Sequence, residues 1–343
     1  MSENIIYSGK SKKILVTGGA GYIGSFTVRA LREAGYEIVI FDNLSQGHKE
    51  AVEGFDLVKG SLVEDQNLLA DLLRKEKFDA VVHFAAFIQV AESYRLPEKY
   101  FRNNIVGSLN LLEAVVKAGI SKFVFSSSAG VYGDPQRVPI EEEDRKLPTN
   151  PYGETKLVIE KMLFWFDKAH DLRSISLRYF NAAGAALDGS IGEDHPDESH
   201  LIPLAIKAAQ EKRQFGIFGH DYPTADGTCV RDYIHVLDLA QAHLLALRAL
   251  EGGSETSTYN VGISKGYSNL EVLEMIKKIG KVDFPVKFEP RRLGDASVLY
   301  ASIDKIKKEL GFSPKHSDLE TIIKTAWLWH QKHPNGYGHK RRD

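Results

Sequence analysis

The stretch that most restricts what this chain can fold into is Lys12–Gly24. There an apolar, β-branched run, KKILVT, passes into Gly18-Gly19-Ala20-Gly21-Tyr22-Ile23-Gly24 and then into a helical pattern. A tight turn, a backbone that a pyrophosphate can approach, and a close helix–strand contact each call for a residue without a side chain. The helix that follows points its first amides and positive dipole end at the same place. A lone glycine motif also serves as a purely structural turn. Here it follows a strand, opens a helix and sits at the first strand–helix connection, the context a dinucleotide site requires.

Further strand-like runs are Glu37–Asn43, Asp79–Ala86, Lys122–Ser128 and Ser174–Asn181. They are apolar on both faces and alternate with helical patterns at Ser25–Ala34, Asn103–Ala118 and Tyr152–His170. That alternation predicts an α/β fold with a doubly wound parallel (Rossmann) sheet, covered on both sides and joined by right-handed crossovers. After Asn181 the texture changes, with Gly, Pro, Asp and His dense from Gly184 to Gly227 and one helix near Leu201–Lys212. This reads as a smaller C-terminal α/β substrate-binding domain. A helix at Val236–Leu250 and a strand at Ser257–Gly262 are expected to return to the first unit; further helices fall at Leu270–Ile279, Ile303–Leu310 and Leu319–His330. The expected division is 11–181, with 233–263 returning, for the dinucleotide, and 182–232 with 264–343 for the substrate.

Lys and Arg total 44 against 46 Asp and Glu, a net charge of −2. No long-range field then favours nucleic acid or an anionic membrane, and an anionic ligand must be held by local groups. One cysteine, Cys229, excludes an internal disulfide framework and a cysteine-based zinc site. No apolar run reaches the roughly 18 residues of a membrane span, since Ala80–Val90 is broken by His83 and Gln89. The first ten residues read as a loose extension without a signal-peptide pattern, so a cytoplasmic location is expected.

Asp42 closes the second run, where a carboxylate bonds the adenosine ribose hydroxyls and repels a 2′-phosphate; NAD is expected rather than NADP. Tyr152 and Lys156 are four apart at a predicted helix start and share a face. Ser128 falls at the carboxyl edge of the sheet, where ligands bind. A tyrosine is a poor base near neutrality, and a neighbouring ammonium and a cationic nicotinamide would both favour its phenolate. His195 and His200 bracket HPDESH without a third ligand in register, so they read as a proline-containing loop and no metal is expected. Glu141–Arg145 reads as a solvated loop face, Trp327 and Trp329 as packing residues.

GGAGYIG, FSSSAGVYGD, PYGETK and RYFN together resemble the extended short-chain dehydrogenase/reductase family. FGHDYPTADGTCVRDYIHV (Phe218–Val236) and RRLGD (Arg291–Asp295) narrow the resemblance to its NAD-dependent nucleotide-sugar epimerases, over about Lys12–Tyr337. The resemblance implies reversible inversion at C4 of a UDP-hexose, interconverting UDP-glucose and UDP-galactose through a 4-keto sugar. It implies catalytic roles for Ser128, Tyr152 and Lys156. NAD would be held by Gly18, Gly21, Tyr22, Ile23, Gly24, Asp42, Asn43, Ser61, Leu62, Phe84, Ala85, Asn103, Ser126 and Tyr179, together with Tyr152 and Lys156. The UDP-sugar would meet Asn181, His200, Leu201, Phe218, Arg231, Arg292, Asp295 and Leu299, together with Ser128 and Tyr152. Ser61, Ile88 and His200 depart from the family's usual aspartate, lysine and asparagine. A homodimer through the helices Asn103–Ala118 and Tyr152–His170 is implied as well. The competing readings are an epimerase for another UDP-sugar, a dehydratase, and a non-catalytic NAD-binding regulator. The dehydratase would need an Asp-Glu pair after Ser128, where Ala129-Gly130-Val131 stands. The regulator would be expected to have lost Tyr152 or Lys156, and both are present.

Overall fold

The computed structural model describes residues 11–292 and 296–338. Strand β1 (Lys13–Thr17) pairs in parallel with β2 (Glu37–Asp42) on one side and with β4 (Ala80–His83) on the other. Outward from these lie β3 (Asp56–Lys59), β5 (Lys122–Ser126), β6 (Arg173–Tyr179) and the strand Ser257–Val261, giving one seven-stranded sheet, every pairing parallel. The chain winds one way from β1 to β3 and the other way from β4 onward. The reversal beside β1 opens a crevice at the carboxyl ends of β1 and β4.

Both faces of the sheet are buried, which is why the strands read as continuous apolar runs rather than alternating ones. Ile14, Val16, Ile38, Ile40, Val82 and Val124 face the helices Tyr22–Glu33 and Val236–Glu251. Leu15, Val39, Phe41, Val81, Phe123 and Phe125 face the helices Gln66–Lys75, Gly107–Lys117 and Pro151–His170. Ala301, Ile303, Ile306 and Phe312 also join the first of these cores, although they lie well beyond residue 263. A separate core forms where the helices Leu201–Gln210, Asn269–Gly280 and Leu319–Lys332 pack around the paired strands Phe215–Phe218 and Val286–Glu289. Among the described residues no helix is long and apolar enough to cross a membrane.

Several local expectations need correction. The first helix starts at Tyr22, inside the glycine motif, not at Ser25. β3 has no strong sequence signal because it is an edge strand with its ends exposed. The Asn103–Ala118 helix is π-helical over Phe101–Val106 and α-helical from Gly107 to Lys117. β5 stops at Ser126, so Ser128 is not a strand residue: it caps the short 3-10 turn Ala129–Val131, accepting from Gly130 N at 3.0 Å. Glu142 is buried within the otherwise exposed acidic loop, because its carboxylate accepts the Asn260 amide at 2.8 Å. Trp327 and Trp329 are buried, as their reading as packing residues requires.

An added Cβ on Gly24 would lie 2.4 Å from the Gly18 carbonyl oxygen and 2.8 Å from Gly19 Cα. Neither backbone atom can swing aside. Gly24→Ala is therefore expected to lower unfolding stability by about 1–3 kcal/mol, read from the midpoint of urea denaturation.

Candidate active site

A cavity of about 480 Å³ lies at the crevice and runs from the glycine turn to the short strands Val230–Arg231 and Val298–Leu299. At its sheet end, Gly18 has a positive φ of 71° and its missing side chain leaves room for Ala85, whose backbone nitrogen an added Cβ would approach to 2.4 Å. Gly21 is different. A Cβ there would meet only the Gly18 oxygen at 3.4 Å, so packing within the protein does not require glycine. Gly21 lines the cavity and is the N-cap of the first helix, with no side-chain cap and no acidic residue in the first turn. The first-turn amides, which a helix cannot satisfy internally, are thus available to an anionic group in the cavity. This is the fit a pyrophosphate needs.

Asp42 also lines the cavity, with its two carboxylate oxygens accepting from Ala20 N at 3.0 Å and Leu44 N at 2.8 Å. Burial raises its pKa, with these two amides and His48 opposing. The carboxylate therefore anchors the glycine turn as well as facing the ligand space. Tyr22, Ile23, Gly24, Asn43, Leu62, Phe84, Ala85, Asn103 and Tyr179 lie on the same wall. Ser61 does not. It borders an adjoining pocket with Lys59, Lys99 and Arg102, and its hydroxyl accepts from Val63 N and Glu64 N at 3.2 and 3.3 Å. Asn104, which the sequence reading passed over, is fully buried. It bonds both backbone groups of Phe87 and the Thr155 hydroxyl, tying the loop after β4 to the helix that carries Tyr152.

Tyr152 and Ser128 both line the middle of the cavity. Asn150 caps the Pro151–His170 helix by accepting from Gly153 N at 2.8 Å, which fixes the turn bearing Tyr152. Burial raises the tyrosine's pKa and the Ser128 hydroxyl only partly offsets it. The protein by itself thus does not produce the phenolate that the Tyr–Lys spacing suggests. Lys156 sits behind the wall, its Nζ 5.9 Å from the centre of the Tyr152 ring and donating to the Ser126 carbonyl at 2.8 Å. Burial drives its pKa down to about 7 against the pull of Glu160. Ser126 is likewise behind the wall, with its hydroxyl 2.8 Å from that of Tyr179.

At the far end Asn181, His200, Arg231, Arg292 and Leu299 line the cavity. The Arg292 guanidinium lies 3.8 Å over the centre of the Phe218 ring. Phe218 itself and Leu201 are not on the wall, and Asp295 lies outside the described residues. Asn181 donates to the Asp232 carbonyl at 3.1 Å. The fully buried Asp232 carboxylate has its pKa pushed up to about 7 by burial while accepting from Ala301 N and Ile263 N, joining three chain segments behind Arg231 and Leu299. The same wall contains Glu193 and His195. With Glu198 and His200 they form a cluster whose four ligand atoms lie within 4.8 Å of one another. The expectation of no third ligand in register with His195 and His200 needs correction: Glu193 and Glu198, from the same short segment, turn their carboxylates to both rings.

Residues 14–262 match the NAD dependent epimerase/dehydratase family. The chain belongs to that family. A UDP-glucose 4-epimerase of Lacticaseibacillus casei is 49% identical over 326 residues, covering 95% of this chain and 98% of its own. The structure of UDP-glucose 4-epimerase from Brucella ovis in complex with NAD superimposes with a TM-score of 0.90 at 45% identity, over 92% of this chain and 98% of that one. The UDP-Glc/GlcNAc 4-epimerase of Campylobacter jejuni gives 0.83 at 44% identity, over 94% and 100%. Family membership and the bare Gly21 cap agree on the nucleotide end of the cavity.

The depressed Lys156 pKa has a stability consequence. A lysine whose folded pKa lies below its unfolded value disfavours folding fully below the folded pKa, and the penalty fades as pH rises to the unfolded value. Lys156→Met is therefore expected to raise the melting temperature of protein stripped of cofactor at pH 6–7. The gain should shrink between about pH 7 and the free lysine value near 10.4. A gain independent of pH, measured by thermal denaturation, would contradict a buried lysine held near pKa 7.

Proposed function

We propose that this chain interconverts UDP-glucose and UDP-galactose by inverting C4 of the hexose, with NAD held at the glycine turn. The observation that carries the reading is the position of the Ser128–Tyr152 pair. It stands in one continuous cavity between the open helix cap at Gly21 and two arginines, Arg231 and Arg292, at the other end. Arginine grips phosphate oxygens through paired N–H donors, so these two suit the diphosphate of the substrate. The L. casei, B. ovis and C. jejuni proteins, all named 4-epimerases and each covered nearly end to end, support the same reading.

In this proposal Tyr152 takes the proton from the sugar 4-hydroxyl and later returns it, and Ser128 orients the same oxygen. Lys156, whose Nζ donates to the Ser126 carbonyl just behind the wall, reaches the nicotinamide ribose when NAD is bound. NAD, when bound, supplies a hydride acceptor for C4 and a donor to the opposite face of the 4-keto sugar. The seven-stranded sheet carries the cofactor, and the part built from 182–232 and 264–343 covers the UDP-sugar, apart from residues 301–312 on the sheet side. We assign the protein to the cytoplasm as a homodimer. The exposed Phe164 and Trp165 on the Pro151–His170 helix, 47% and 66% exposed, offer an apolar face for the second copy.

Purified protein given UDP-galactose is expected to yield UDP-glucose without added reductant, followed by chromatography of the nucleotide sugars. Tyr152→Phe removes only the proton acceptor and should cut turnover by about 10²–10⁴-fold with little change in UDP affinity. Retention of most activity would remove Tyr152 from the chemistry.

A second reading rests on Leu299, which lines the hexose end of the cavity and packs on the Val131, Tyr132, Ile140 and Leu157 cluster. Leucine lacks the ring and hydroxyl of tyrosine and leaves space beside C2 of the sugar. We therefore expect UDP-N-acetylgalactosamine to be turned over more slowly than UDP-galactose, and Leu299→Tyr to suppress the first activity selectively. Equal loss of both in competition assays would show that this side chain does not sort substrates.

A further inference from the structure

One cluster on the cavity wall has no part in the chemistry just described. The Glu193 carboxylate is 2.8 Å from His200 Nδ1 and 3.4 Å from His195 Nδ1. Glu198 is 3.0 and 3.2 Å from the same two nitrogens. Both imidazoles therefore turn Nδ1 inward to one point, and each carboxylate touches both rings. Among the described residues these carboxylates form ion pairs with the two histidines and with no lysine or arginine. The side chains of Glu193, His195 and Glu198 are 6%, 9% and 13% exposed, so water does little to balance the two negative charges. Two protons on the imidazoles or one divalent cation would balance them.

The donor set and its dimensions suit the cation. A four-coordinate zinc-class ion with bonds near 2.0–2.2 Å holds neighbouring donors about 3.3–3.5 Å apart. The four histidine–carboxylate contacts of 2.8–3.4 Å approach that figure; the shorter pairs would open by about half an ångström, and the full set, within 4.8 Å, would draw in around the ion. Two imidazole nitrogens with two carboxylate oxygens are ligands of borderline first-row ions, whereas magnesium and calcium prefer all-oxygen sites. We propose that Glu193, His195, Glu198 and His200 bind one divalent zinc-class ion.

The ion would brace the wall rather than take part in the reaction, and the proposal does not depend on the reaction assigned above. The Glu193 carbonyl accepts the Trp329 indole N–H at 3.0 Å, which joins the segment to the C-terminal helix Leu319–Lys332. Next to it, Asp194 is held by His48, whose Nε2 lies 2.9 Å from the Asp194 carbonyl. The His195 ring meets Tyr22 of the first helix edge to face at 6.4 Å. A metal at Glu193–His200 would therefore link the C-terminal helix, the glycine-turn helix and the start of the Leu201–Gln210 helix.

The test uses tag-free protein as purified with its cofactor, treated with a chelator that is then removed. Zinc chloride is titrated by calorimetry, and bound metal is counted after equilibrium dialysis. The expected result is one zinc per chain at micromolar or tighter Kd, a rise in melting temperature, and no comparable binding of magnesium. His195→Gln and Glu193→Gln should each weaken binding at least tenfold, while His170→Gln, on the exposed end of its helix, should not. Cobalt(II) added to the unmodified protein should show the intense visible bands of a four-coordinate nitrogen–oxygen site, which decides the matter even if a variant fails to fold. Uptake well below one equivalent together with no cobalt bands would overturn the proposal, as would zinc binding unaffected in both folded variants. The cluster would then be balanced by protons alone.

Discussion

The arrangement of the cavity depends on one backbone contact. The Gly130 carbonyl and Gly153 approach so closely that a Cβ on Gly153 would lie 2.4 Å from the Gly130 oxygen. Gly130 belongs to the turn that Ser128 caps, and Gly153 follows Tyr152 in the first turn of its helix. This contact brings the turn of Ser128 against the first turn of the Tyr152 helix. A buried ion pair keeps the helix there: Arg178 on β6 holds Glu160 at 2.6 Å, and Glu160 also accepts the Ser127 hydroxyl at 2.6 Å. Sheet, turn and helix are thus tied together one helical turn beyond Lys156. Breaking such a pair by removing one partner leaves an unpaired buried charge, typically a loss of about 3–5 kcal/mol.

The same burial that orders the cavity works against its reactive groups. It raises Tyr152 and lowers Lys156, so each is pushed toward its neutral form. A hydroxyl partner alone does not reverse this for the tyrosine. In the proposed reaction the remaining tuning of Tyr152 would come from the positive charge that bound NAD brings into the cavity. This division suits a reaction in which proton and hydride must move together, because the base strengthens only when the acceptor is in place.

The sheet was legible in the sequence because a strand buried on both faces has a plain signature, and five of its seven strands carry it; Ser257–Val261, at one edge, was found only as a short run after a helix. The seventh, Asp56–Lys59, lies at the edge with exposed ends, and its four residues give no period to read. The glycine turn was legible for a related reason: Gly24 is required by contacts with Gly18 and Gly19 inside the motif, while Gly18 also makes room for the loop after β4. Tyr152 and Lys156 were legible from helical spacing, although Lys156 Nζ rests on the Ser126 carbonyl and does not line the cavity. What the sequence did not reveal arises from contacts between distant segments: Asn104 with Phe87 and Thr155, and Asp232 with Ile263 and Ala301, have no local pattern.

The central claim is that one enclosed cavity both removes hydrogen from C4 of the sugar and gives it back. The direct measurement is to incubate the protein with UDP-galactose carrying deuterium at C4 in ordinary water and examine the UDP-glucose formed by mass spectrometry and NMR. The account predicts that deuterium is retained at C4 of the product, because the hydride returns from the same bound cofactor to the opposite face. Product with protium at C4, formed by exchange with water, would contradict it.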